Sequence, residues 1–137
     1  MWPFSPRQGP PRRYPAVAIG DIVAVWGENS GWEFVDPVLE VDCTLAGIDV
    51  FHEAIVQKLP LVRKWIAELN EDIGTAVREH ADRGGLPVEG YDLQSIDVAA
   101  LASEDTIDVC YTSEDWADYA VNVVISNGQI VELFGGD

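Results

Sequence analysis

Residue types and spacing come closest to chemistry in the run Glu114-Asp115-Trp116-Ala117-Asp118-Tyr119. It sets two aromatics among three carboxylates, in a stretch that reads as a connection between strands. Aromatic side chains anchor interfaces, and carboxylates attract a cationic partner and speed its capture. Glu114, Asp115, Trp116, Asp118 and Tyr119 are therefore the candidate partner-binding residues. The competing reading is structural: Trp116 and Tyr119 pack inward and the acids solvate a loop. A second, weaker patch is the turn cluster Gly27-Glu28-Asn29-Ser30-Gly31, flanked by Trp26 and Trp32.

Other chemistries lack their parts. His52-Glu53 opens like a zinc-protease motif, but Val56 stands where the second His is needed. His80, the other histidine, reads as a helix-terminal residue. Cys43 and Cys110 lack the CxxC spacing of a zinc or redox site. Each lies in an apolar, strand-like run and reads as a core thiol, with a disulfide between strands as the minor alternative. The serine of the Gly27–Gly31 cluster is misplaced for a nucleophile elbow, and no phosphate-binding glycine loop exists. Glu104, Asp105, Asp108, Glu114, Asp115 and Asp118 do not follow the calcium-loop pattern. No catalytic residue, metal ligand or cofactor is assigned.

Charge decides what these residues can attract. The chain has 24 Asp and Glu against 8 Lys and Arg, a formal net charge of −16 in 137 residues. Arg7, Arg12 and Arg13 fall in the first thirteen residues, where there is no acid. The remainder is a body of formal charge −19. Such a body repels nucleic acid and anionic lipid and favours cationic partners. Acidity of this degree also serves solubility in salt-adapted proteins. With 47 % hydrophobic residues and five Trp, the charge sits on a folded body and not on a disordered chain.

The elements that position these residues follow from period. Residues 1–14 carry prolines and arginines and form an N-terminal arm, polyproline-like or folded back as a cationic strap on the acidic body. Residues 15–137 form one domain. AVAIGDIVAVW reads as one strand, either buried on both faces or bent with a kink at Gly20-Asp21. Strands are expected through Trp32–Val35 and Val38–Leu45. Ile55, Leu59, Val62, Ile66, Leu69, Ile73 and Val77 form an apolar stripe at helical spacing. Pro60 suits a first turn, so a short helix over Val50–Lys58 and a long one over Pro60–His80 are expected, with a single kinked helix as the alternative. Strands follow at Ser95–Leu101, Thr106–Thr112, Ala120–Ser126 and Gln129–Phe134. Asn127-Gly128 predicts a two-residue hairpin pairing Ile125 with Ile130, Val123 with Glu132 and Val121 with Phe134. The fold class is α+β: a mainly antiparallel sheet with a long helix, preceded by a short one, packed on one face.

Leu93-Gln94-Ser95-Ile96-Asp97, the acidic strand Thr106–Tyr111, the aromatic-acid loop, the strand Tyr119–Ile125 and the closing Gly128–Gly136 occur in a telling order. Over residues 38–137 this order resembles small acidic bacterial proteins grouped as domains of unknown function, some of them neighbours of polymorphic-toxin immunity proteins. The resemblance implies no catalytic residue. The expected function is that of a non-enzymatic acidic binding protein in the cytoplasm, of which an immunity-type inhibitor of a cationic protein is one form. The alternatives are a small enzyme with a carboxylate-based or metal-assisted site, and a structural homodimer joined through the apolar C-terminal hairpin.

Overall fold

A computed structural model describes residues 15–27, 31–48 and 50–136. The element order is β1 (Val17–Ile19), β2 (Ile22–Gly27), β3 (Gly31–Asp36), β4 (Val41–Ala46), α1 (Glu53–Glu68), α2 (Asn70–Arg83), β5 (Tyr91–Asp97), β6 (Thr106–Ser113), β7 (Ala120–Ser126) and β8 (Gln129–Gly136). Single 3-10 turns at Ala99–Ala102 and Glu114–Trp116 flank β6. The eight strands form one sheet in sequence order. Every neighbouring pair is antiparallel except β4 and β5, which run parallel. A parallel pair needs a crossover, and α1 and α2 supply it.

This differs from the expected fold class in two respects. The sheet is mixed, and the helical segment is two helices of 16 and 14 residues, not a long helix after a short one. Pro60 lies inside α1, and the break comes instead at Leu69. The Leu69 N–H still donates to Trp65 O and Leu69 O still accepts from Ile73, so the turn loses few hydrogen bonds. In one continuous helix Glu68 would stack on Glu71 and Asp72, an unfavourable like-charge arrangement. The break places Glu71 and Asp72 in the first turn of α2, where the helix dipole favours anions. The apolar stripe runs through the break, because Ile66 and Ile73 join the same core on either side of it.

Two local expectations also change. AVAIGDIVAVW is a hairpin, with Ile19 paired to Ile22 across a turn in which Gly20 adopts φ +62°. The Asn127-Gly128 turn and the Ile125–Ile130 pair are present, but a bulge at Val131 shifts the register beyond them. Val123 then faces Leu133, and Val121 faces Gly135. The bulge turns Leu133 toward the core and leaves Glu132 and Phe134 on the opposite face.

The core lies between one face of the sheet and the helices. Trp32, Phe34, Cys43, Leu45, Ile96, Ile107, Val109, Val121, Val123 and Ile125 form one buried cluster with Ile55, Leu59, Val62, Trp65, Ile73 and Val77. Phe51 closes one end against Trp32 and Phe34, at ring separations of 6.3 and 5.5 Å. Among the described residues one buried ion pair ties α1 to β3. Asp36, 1 % exposed, accepts from Arg63 Nη2 at 2.6 Å and from Arg63 Nε at 3.1 Å, and also from the N–H groups of Val38 and Leu39. Burial alone would raise the Asp36 pKa. The Arg63 guanidinium and the two N–H groups outweigh burial and hold it below the usual carboxylate range. No helix among the described residues is long and apolar enough to cross a membrane.

Candidate functional site

Alternation along a strand sends neighbouring side chains to opposite faces. With the buried residues on the helix side, the remaining positions form a second face that no described element covers. One row across it is Val25, Glu33, Thr44, Asp97, Asp108, Val124 and Glu132. The next row is Val35, Asp42, Ser95, Cys110, Asn122 and Phe134. None of these residues is buried. With Asp92, which faces Thr112, six carboxylates lie on this face. The strands contain no Lys, Arg or His.

Among the described residues the cations are all elsewhere. Lys58, Arg63, Lys64, Arg78 and Arg83 all lie in α1 and α2, beside six acids. Outside the helices the described residues include fifteen acids and no Lys or Arg. The helical layer is nearly neutral, and the negative charge is concentrated on the sheet and its connections. Two of these cations are held in ion pairs, Arg63 with Asp36 and Lys58 with Asp105 at 2.9 Å; Lys58 also donates to the Leu101 carbonyl at 3.0 Å, and Arg78 donates to the Tyr91 hydroxyl at 3.1 Å.

At the centre of the uncovered face Asp97 stands directly opposite Asp108. Like charges so placed destabilise a sheet. Burial pushes the Asp97 pKa up; the Ala99 N–H, donating at 2.9 Å, pulls against this, and Asp108 adds to it. Asp108 accepts from Asn122 Nδ2 at 2.8 Å. Both acids line a shallow depression of about 270 Å³ that reaches Ala100 and Thr106. A second depression, of about 410 Å³, lies toward β2 and β3 among Val23, Val25, Glu33, Val35 and Asp42. Its valines are among the most exposed large apolar side chains, with Val23 at 56 % and Val35 at 57 %. Acids and apolar groups thus share one open surface.

The loop singled out by sequence is divided. Glu114, Asp115 and Asp118 are exposed. Trp116 is 2 % exposed, donates from Nε1 to the Pro87 carbonyl at 2.7 Å and stacks on Tyr91, so it cannot touch a partner. Tyr119 is half-buried, with its hydroxyl 2.6 Å from His80 Nε2. A side chain at Gly135 would collide with that hydroxyl and with His80, so β8 passes the pair only because it carries glycine there. Trp32, from the second patch, is buried and packs edge-on against Trp26 at 5.6 Å; residues 28–30 of that turn lie outside the described residues, as does the arm of residues 1–14.

Cys43 is buried on the core face and Cys110 half-buried on the uncovered face; both are free thiols. Burial pushes Cys43 up to about 12 and Cys110 up less. Among the described residues no three His, Cys, Asp or Glu side chains converge to hold a metal ion.

Sequence reasoning missed Glu33, Asp42, Asp97, Asp108 and Glu132 as members of one surface. They are scattered over a hundred positions and only the sheet register unites them. One signal was available: every Lys and Arg after residue 13 falls between positions 58 and 83, the helical segment. No protein-family model, characterised protein or solved structure matches the chain.

Proposed function

We propose that this protein is a non-enzymatic acidic binding protein that takes a cationic protein partner on the uncovered face of its sheet. The observation that carries the reading is the separation of charge among the described residues: a face with six carboxylates and no cation, backed by a nearly neutral helical layer. A hydration coat serving only solubility would charge the solvent side of the helices as heavily as the sheet. The opposed Asp97 and Asp108 work against stability, which fits a surface shaped by recognition. Val23, Val25 and Val35 would give a partner an apolar foothold beside the acids. An immunity-type inhibitor of a basic toxin is a narrower form of this proposal, and the free thiols fit a cytoplasmic site of action.

The test is association with a Lys-rich probe peptide, followed by stopped-flow Trp fluorescence. Glu33→Lys, Asp42→Lys and Glu132→Lys together should slow association by about tenfold or more at low salt. The difference should collapse near ~1 M salt, where the field reaches only about 3 Å. Glu114→Lys with Asp115→Lys should have the smaller effect. If the loop variant slows capture and the sheet variant does not, the face is wrongly assigned.

The enzyme alternative draws on the Asp97–Asp108 depression and the raised Asp97 pKa. Both carboxylates are already engaged, by the Ala99 N–H and by Asn122, so the binding reading is the stronger.

A further inference from the structure

We propose that the outer edge of β8 takes an extended segment of the cationic partner as a ninth strand, its Lys or Arg side chains on the open face alternating with apolar side chains on the helix side. The inference rests on reading the open face as the site for a cationic protein, and it adds how that protein is held.

The sheet ends at β1 and β8. An edge strand presents a row of backbone N–H and C=O groups that can template another strand. The two edges differ. β1 has three residues, and Pro15 stands just before it. β8 has eight, about 27 Å of edge, and residues 132–136 keep unbroken register with β7. No described element pairs with the outer side of β8. The strand contains no Pro, Lys or Arg, the residues that guard sheet edges, and Glu132 is its one charge.

The side chains show what the missing neighbour would carry. On the helix side Val121, Val123 and Ile125 of β7 are fully buried. Their β8 partners, Leu133 beside Val123 and Ile130 beside Ile125, pack on the same core yet stay half-buried. An apolar side chain on a ninth strand would lie against them and seal that layer. On the open face Glu132 and Phe134 are exposed, Phe134 at 44 %. A cation on the ninth strand would stand beside Glu132, and an Arg there would lie over the Phe134 ring. β8 thus asks its neighbour for alternating basic and apolar residues.

Charge selects the occupant. A second copy would bring two chains of formal charge −16 edge to edge. A basic segment is drawn in by the same field that repels a copy.

The experiment uses the full chain and an eight-residue peptide of alternating Lys and Val. Two further forms are N-methylated, one on every Lys and one on every Val. Successive N–H groups of a strand point to opposite edges, so each form blocks one edge of the peptide. By titration calorimetry one form should bind like the unmethylated peptide, and the other about tenfold more weakly or worse. Hydrogen exchange should slow about tenfold at alternate amides of residues 132–136 when the unmethylated peptide binds, and stay unchanged in β1.

Equal binding of both methylated forms, whether retained or lost, overturns the ninth strand, and so does unchanged exchange in β8. If either occurs while Glu33→Lys with Asp42→Lys still slows capture, the edge falls and the binding face stands. If those two substitutions change nothing while one methylated form alone loses affinity, the ninth strand stands and the face falls as the source of capture. A dimer in sedimentation at micromolar concentration, with its β8 amides already protected, would put a second copy on the edge and overturn the choice of occupant.

Discussion

Arg63→Ala tests how the helices are held to the sheet. Asp36 is 1 % exposed, and Arg63 donates to both of its oxygens. Removing the guanidinium leaves a buried carboxylate with only the N–H groups of Val38 and Leu39. Breaking a buried pair from one side costs about 3–5 kcal/mol. The Arg63 side chain is itself 25 % exposed, so water can reach the gap, and the low end, about 3 kcal/mol, is expected. With a urea m-value of about 1–3 kcal/mol/M, the midpoint should fall by roughly 1–3 M. The pH dependence gives a sharper check. In the parent the Asp36 pKa is depressed, so its contribution is present above the unfolded pKa near 3.9 and is lost as pH falls through the folded value. Without Arg63, burial dominates and the folded pKa rises above the unfolded one. The variant then pays its penalty at neutral pH and recovers it as Asp36 protonates. The stability gap between parent and variant should be widest near neutrality and narrow below about pH 4. Trp fluorescence across a urea series at several pH values measures both quantities. A gap independent of pH, or a midpoint that does not move, would refute the account of Asp36 as a charge held by Arg63.

Gly135→Ala should drive Tyr119 off His80 and cost about 1–3 kcal/mol, read as a lower melting temperature and a shifted Tyr119 ring signal; an unchanged ring signal would contradict the close approach. Trp116→Phe should cost about 1–2 kcal/mol by orphaning the Pro87 carbonyl, yet leave capture of a basic peptide unaltered; weakened capture would return Trp116 to the binding surface. N-ethylmaleimide should modify only Cys110 in the folded protein and both thiols in denaturant, because Cys43 is buried and its pKa stands at about 12; mass spectrometry of the alkylated peptides distinguishes the two.

What sequence revealed depended on whether a feature was local. The Asn127-Gly128 turn was legible because both residues tolerate the positive φ they adopt, 53° and 77°. The bulge at Val131 was not, since Val121, Val123, Val124 and Ile125 are apolar on both faces and accept either register. The stripe from Ile55 to Val77 announced helix but hid the break at Leu69, because packing continues across it. Trp116 was ambiguous for a related reason. Its partners, the Pro87 carbonyl and the Tyr91 ring, lie 29 and 25 residues away, and nothing adjacent marks it as buried. The parallel β4–β5 contact brings Asp42 beside Ser95 and Thr44 beside Asp97, across fifty-three positions of sequence. No local pattern encodes that pairing, so the acidic face could not be assembled by reading along the chain.

The charge separation has a consequence for the fold that links its two parts. A mixed sheet with a bare acidic face repels itself, and Asp97 opposite Asp108 concentrates that repulsion at the centre. The helices cannot relieve it: they pack on the other face, and two of their five cations are already bound to Asp36 and Asp105. Compensation must therefore come from solvent ions or from a cation arriving at the open face. A cationic partner seated on that face, as proposed above, would satisfy this condition.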